Sequence, residues 1–124
     1  MLTYAEHLKK ILVQFVDSYN ILKEFQDKPG DLDKITKELL KINGFLKVIT
    51  KKVDPDKIPI SDFKPLKLKF QNYLDNYYFE KEIETMAPLY FDDIYRIKNM
   101  RLKILEALED KKMMFAVDEL IEKL

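Results

Sequence analysis

Ile35-Thr36-Lys37-Glu38-Leu39-Leu40-Lys41-Ile42-Asn43-Gly44-Phe45-Leu46-Lys47-Val48-Ile49-Thr50-Lys51-Lys52-Val53 is the stretch whose reading decides the fold. Ile35, Leu39, Ile42, Leu46, Ile49 and Val53 alternate steps of four and three. That spacing sets them along one flank of a helix and suits coiled-coil-like packing against another. Asn43-Gly44 is the one discordant note. Asn-Gly between apolar runs is a hairpin signal, and Gly44 in the left-handed conformation would equally make a helix C-cap. The apolar register crosses the glycine unbroken and favours one continuous helix, with a helix broken at Gly44 and a hairpin as the alternatives.

On a continuous helix Leu40, Gly44 and Val48 form a second line, away from the main stripe. A glycine there costs about 1 kcal/mol of helix propensity and lets another backbone approach. The line is read as tolerated drift or the seat of a fourth helix of the same bundle, or else as a contact for a partner or a second copy.

Toward the N-terminus, Thr3 and Glu6 have capping-box spacing. Leu8, Ile11, Leu12, Phe15, Val16, Tyr19, Leu22 and Phe25 then recur at three- and four-residue steps, predicting a helix to about Asp27. Pro29-Gly30 marks a turn, and Asp31 is a suitable N-cap for the second helix. Toward the C-terminus, the Pro-rich connector at about 54–62 is long enough to cross one end of a bundle, so the third helix need not lie beside the second.

The third helix starts at Ser61 or Asp62, with Pro65 tolerated in its first turn. Phe63, Leu66, Phe70, Tyr73 and Tyr77 carry its period, although Leu66-Lys67-Leu68-Lys69-Phe70 also alternates as a strand would. The run from Asn72 to Glu84 keeps neither period cleanly. Pro88 opens a fourth helix with Leu89, Phe91, Ile94, Ile97, Ile104, Leu105 and Leu108 on its stripe and Asp92 one turn before Arg96. After a polar turn at Glu109-Asp110-Lys111-Lys112, Met114, Val117, Leu120, Ile121 and Leu124 make a short closing helix. The expected architecture is all-α: one domain, residues 1–124, folded as an antiparallel bundle of four main helices plus a short C-terminal one.

Composition agrees. A chain of 124 residues with 47% hydrophobic and 35% charged residues is globular, and two glycines with five prolines are thin punctuation for a sandwich or barrel. No cysteine occurs, which excludes disulfides, thiolate metal sites and a cysteine nucleophile. The N-terminal residues lack a signal peptide's basic start and apolar run, and no stretch approaches the roughly 18 apolar residues of a membrane span. The cytoplasm is the default location, without membrane attachment. Basic and acidic residues balance at 22 each, so whole-protein attraction to nucleic acid is not expected. Residues 28–54 carry +3, residues 80–124 carry −3, and Arg96 and Arg101 are the only arginines.

No catalytic constellation, cofactor motif or metal-ligand set emerges. His7 is the single histidine, read as a half-exposed surface residue of an amphipathic first turn. Glu80, Glu82 and Glu84 alternate and Asp92-Asp93 diverge, so these acids read as solvated surface rather than a convergent site. Gly30 and Gly44 are isolated and cradle no phosphate.

The richest local feature is aromatic: Phe63, Phe70, Tyr73, Tyr77, Tyr78, Phe79, Tyr90, Phe91 and Tyr95, with Lys64, Lys67 and Lys69 among the first. Large rings fill a core where helices cross. Consecutive Tyr77-Tyr78-Phe79 cannot all point inward, which leaves at least one ring for the surface or a partner. The function expected is a non-catalytic protein-interaction module, not an enzyme, such as an adaptor, a chaperone-like protein or a small structural subunit. It would contact a protein partner or a second copy through Leu40, Gly44, Val48, Tyr77, Tyr78 and Phe79. The alternative is a small nucleic-acid-binding subunit stacking bases on Tyr73 and neighbouring rings while Lys64, Lys67 and Lys69 hold phosphates.

Overall fold

The computed structural model describes residues 3–26, 28, 31–58, 60, 61, 63–77, 94–109 and 112–124. Among them the chain forms five α-helices and no strand: α1 (Tyr4–Glu24), α2 (Asp31–Lys52), α3 (Phe63–Tyr77), α4 (Ile94–Glu109) and α5 (Met113–Lys123), with a 3₁₀ turn at Pro55–Lys57. The helices pack on one another as an all-α bundle. Pro29-Gly30, Asp62 and the segment 78–93, which includes Pro88, Leu89 and the Asp92 expected to support Arg96, lie outside the described residues.

Local chemistry sets the helix ends. Thr3 sits in extended backbone and its hydroxyl accepts from the Glu6 amide at 3.1 Å, one half of the expected capping box. Asp31 differs from expectation. It is already helical, and its carboxylate accepts from the Lys28 amide at 3.1 Å while its own amide donates to the Lys28 carbonyl at 2.9 Å. It thus reaches back toward an earlier residue, the role of the acidic partner in a capping box, rather than serving as the cap itself.

α2 runs unbroken through Asn43-Gly44, so neither a break nor a hairpin forms. Ile35, Leu39, Ile42, Leu46, Ile49 and Val53 are all buried. Six stripe residues, each stabilising by roughly 1.5–3 kcal/mol on burial, outweigh the helix penalty of one glycine. Tyr4 fixes the pairing: its hydroxyl donates to the Lys52 carbonyl at 3.0 Å and accepts from the Asp54 amide at 2.6 Å. The start of α1 therefore meets the end of α2, and the two run antiparallel.

α3 packs beside α2, a position the long connector left open. The Lys67 ammonium donates to the Val53 carbonyl at 3.2 Å, just past the end of α2. The helical period wins over strand alternation because Leu66 and Phe70, four apart, both enter the core. Leu68 lies on the other side of the helix and is 72% exposed. Phe15 of α1 meets Phe70 of α3 edge to face, ring centroids 5.7 Å apart. Ile104 and Leu108 of α4 and Met113, Val117 and Leu120 of α5 complete the same core, so the short last helix is a structural member. Between α4 and α5, Lys112 adopts φ 59°, a left-handed conformation costing a non-glycine residue about 1–2 kcal/mol.

Candidate interaction surface

Among the described residues, the expected contacts fall on two different helices. Leu40, Gly44 and Val48 lie on the outer face of α2, opposite its buried stripe, and a Cβ added at Gly44 would meet nothing within 4 Å. No described helix of the bundle sits on this line. Lysines 37, 41 and 51 are exposed alongside it, so Leu40 and Val48 are single apolar residues on a charged face. Tyr77 ends α3 with its ring stacked on Tyr73, centroids 5.7 Å apart and planes 23° apart. Tyr78, Phe79, Tyr90, Phe91, Glu80, Glu82, Glu84, Asp92 and Asp93 lie outside the described residues.

The lysine and ring set of the nucleic-acid alternative is dispersed. Lys64 is exposed, the Lys67 ammonium is bonded to a carbonyl, and Lys69 lies about 160° round the helix from Lys67. Tyr73 is 3% exposed, which removes its ring from base stacking. Arg101 is buried as well, and its guanidinium Nη1 donates to the Leu22 carbonyl at 3.2 Å.

What the bundle does bring together is a pair of recesses between α3 and the α4–α5 side. The larger, about 1060 Å³, is lined by Tyr77, Leu102, Leu105 and Ala107 with Lys23, Lys103, Glu106 and Glu109 among them. The smaller, about 290 Å³, lies between Leu68, Asn72, Tyr73 and Tyr77 of α3 and Ala107 and Met113 across from them, with Lys69 beside it. Tyr77 and Ala107 line both, so the two recesses adjoin, and the pair forms a groove of two parts. Leu68 and the 44%-exposed Leu102 stand along it. Of the residues expected at an interface, Tyr77 alone among those described lines this groove. Leu68 and Leu102 were visible in the sequence as leucines that miss their helix's buried stripe.

Polar links hold one side of the groove in place. The Tyr19 hydroxyl of α1 donates to Glu109 Oε1 of α4 at 2.6 Å, and Lys23 Nζ lies 5.2 Å from the centre of the Tyr19 ring. Burial, then the hydrogen bond to Glu109 and the negative charges of Glu109 and Asp118, push the Tyr19 phenol above its ordinary range. Arg101 places a cation at the last turn of α1, where unsatisfied carbonyls and the helix dipole favour positive charge. Both bonds join α1 to α4 across long sequence separations, and both partners of the Tyr19–Glu109 bond are fixed beside Lys23 at the groove's edge.

Among the described residues no group of three or more His, Cys, Asp or Glu could hold a metal ion, and His7 is exposed at the start of α1. No described helix is long and apolar enough to cross a membrane. No known protein family, curated protein or solved structure matches the chain.

Proposed function

We propose that the chain is a non-catalytic protein-interaction module that docks an amphipathic helix of another protein into the groove between α3 and α4. One observation carries this reading: the exposed leucines of two neighbouring helices, Leu68 and Leu102, flank a recess whose parts share Tyr77 and Ala107. An amphipathic helix buries its apolar face in such a groove and meets charged groups at the rim. Lys23 and Lys103 beside Glu106 and Glu109 give that rim both signs, so the preferred partner helix carries flanking charges of both signs. The protein acts in the cytoplasm, a compartment that a cysteine-free chain suits.

Affinity capture from the native host, comparing the wild-type chain with Leu68→Asp/Leu102→Asp, tests the proposal. Both leucines are solvent-facing, so the double variant keeps its helical circular dichroism. The expected result is one stoichiometric partner on the wild-type chain, lost from the folded variant. Recovery of no partner, or of one the variant retains, refutes the reading, and recovery of only further copies of the chain replaces it with self-association.

A further inference from the structure

The outer faces of α2 and α5 are opposite both in charge and in relief. On α2, Lys34, Lys37, Lys41, Lys51 and Lys52 are exposed within about 100° of arc, around the Leu40–Gly44–Val48 line. The sole carboxylate in residues 34–52 is that of Glu38, which is buried with one oxygen 3.3 Å from the Lys41 ammonium, so the face stays basic. With no side chain at Gly44 and open space where its Cβ would stand, the surface dips between Leu40 and Val48. On α5 the relief is reversed. Phe115 projects, 61% exposed, and Asp118, Glu119 and Glu122 are exposed with it within about 100° of arc.

The spacings match as well. Asp118 and Glu122 follow Phe115 by three and seven residues, and Lys41 and Lys37 precede Gly44 by three and seven. With the helices antiparallel and the Phe115 ring in the dip, each of these acids stands opposite a lysine, about 4.5 and about 10.5 Å along the axis. The negative end of the α5 dipole then meets the positive end of α2.

We propose that α5 of one copy docks on the outer face of α2 of a second copy, with the Phe115 ring over Gly44 between Leu40 and Val48. α1 and α3 each pack on both α2 and α5, so the two faces look away from each other across the bundle. A pair of copies therefore leaves one face free at each end, and the association is head to tail and open-ended rather than a closed dimer. One helix laid on another belongs to the small, weak class of interfaces, below about 1,200 Å², so assembly needs a high local concentration. None of these residues lines the groove between α3 and α4, and the inference does not rest on the docking reading.

Sedimentation velocity of the full chain over a concentration series tests this. The wild-type chain is expected to sediment faster as concentration rises, without levelling off at a dimer, and to lose that trend between about 0.05 and about 0.5 M salt. Phe115→Ala is expected to weaken association about tenfold, as the loss of a central aromatic anchor does. Lys37→Glu and Glu122→Lys each weaken it about fivefold, an exposed ion pair being replaced by a repulsion. Mixing the two charge variants restores the wild-type trend, because every contact in the mixture again pairs opposite charges. All three positions are exposed, so each variant keeps its helical circular dichroism. A monomer at every concentration, growth that stops at a dimer, association unchanged in Phe115→Ala, or charge variants that stay apart when mixed overturns the proposal.

Discussion

The α1–α2 hairpin and the α3–α4 pair are built from the same kind of amphipathic helix, yet they finish differently. In the hairpin the stripe of each helix is buried, Tyr4 ties the open end, and the outer face of α2 is dominated by lysine. In the second pair, helices of 15 and 16 residues carry leucines off their stripes, and the space beside those leucines is a groove rather than a packed seam. Both pairs keep exposed apolar residues, Val13, Ile21, Leu40 and Val48 on the hairpin and Leu68 and Leu102 on the second pair, but only the second pair sets them beside a recess.

The largest effect that would break this contrast is in the core. Phe15 is fully buried against Phe70, so Phe15→Ala is expected to lower stability by about 3–5 kcal/mol, whereas Leu68→Ala changes it by less than about 0.5 kcal/mol. Urea unfolding of the two variants checks this, and comparable losses would erase the distinction between core and groove. Next comes the bond that joins the halves. Arg101→Leu removes the donor to the Leu22 carbonyl and is expected to cost about 1–3 kcal/mol, read by the same denaturation. A loss below about 0.5 kcal/mol would make Arg101 an incidental contact.

Alkaline pH sharpens the comparison further. Tyr19 links the halves and Tyr73 sits within the second, and burial leads the causes that raise both phenols above the ordinary value of about 10. A group whose folded pKa is raised stabilises fully below its unfolded pKa. Above about pH 10 the unfolded chain loses these protons while the native one holds them, so stability falls as pH rises. The urea midpoint is expected to decline there, and less steeply in Tyr73→Phe. An identical decline in that variant would place the titration elsewhere. The smallest effect belongs to α2: Gly44→Ala adds a methyl into open space on a helix and is expected to raise stability by about 0.5–1 kcal/mol. Should it instead abolish partner capture, a foreign backbone sits on the Leu40–Gly44–Val48 line and the groove is the wrong surface.

The all-helical fold was legible because its signal is periodic and local. Ile35 to Val53 kept one register across Asn43-Gly44, and every residue on it is buried. The site was less legible, for physical reasons. The Tyr19–Glu109 and Arg101–Leu22 bonds span 90 and 79 positions, and nothing near either residue announces its partner. Leu68 fitted a strand's alternation as well as a helix's exterior, and only the burial of Leu66 and Phe70 decided between them. Tyr73 and Tyr77 stood alike on the third helix's period, yet Tyr73 is buried and Tyr77 is exposed.

Site-specific photo-crosslinking in the native host tests the proposed contact surface between α3 and α4 at single positions. A benzophenone side chain is placed singly at Leu68, Leu102, Leu40 and Val48, all of them exposed. A crosslink to the same partner is expected from Leu68 and Leu102, with none to it from Leu40 or Val48. Crosslinks from the α2 positions alone would contradict it.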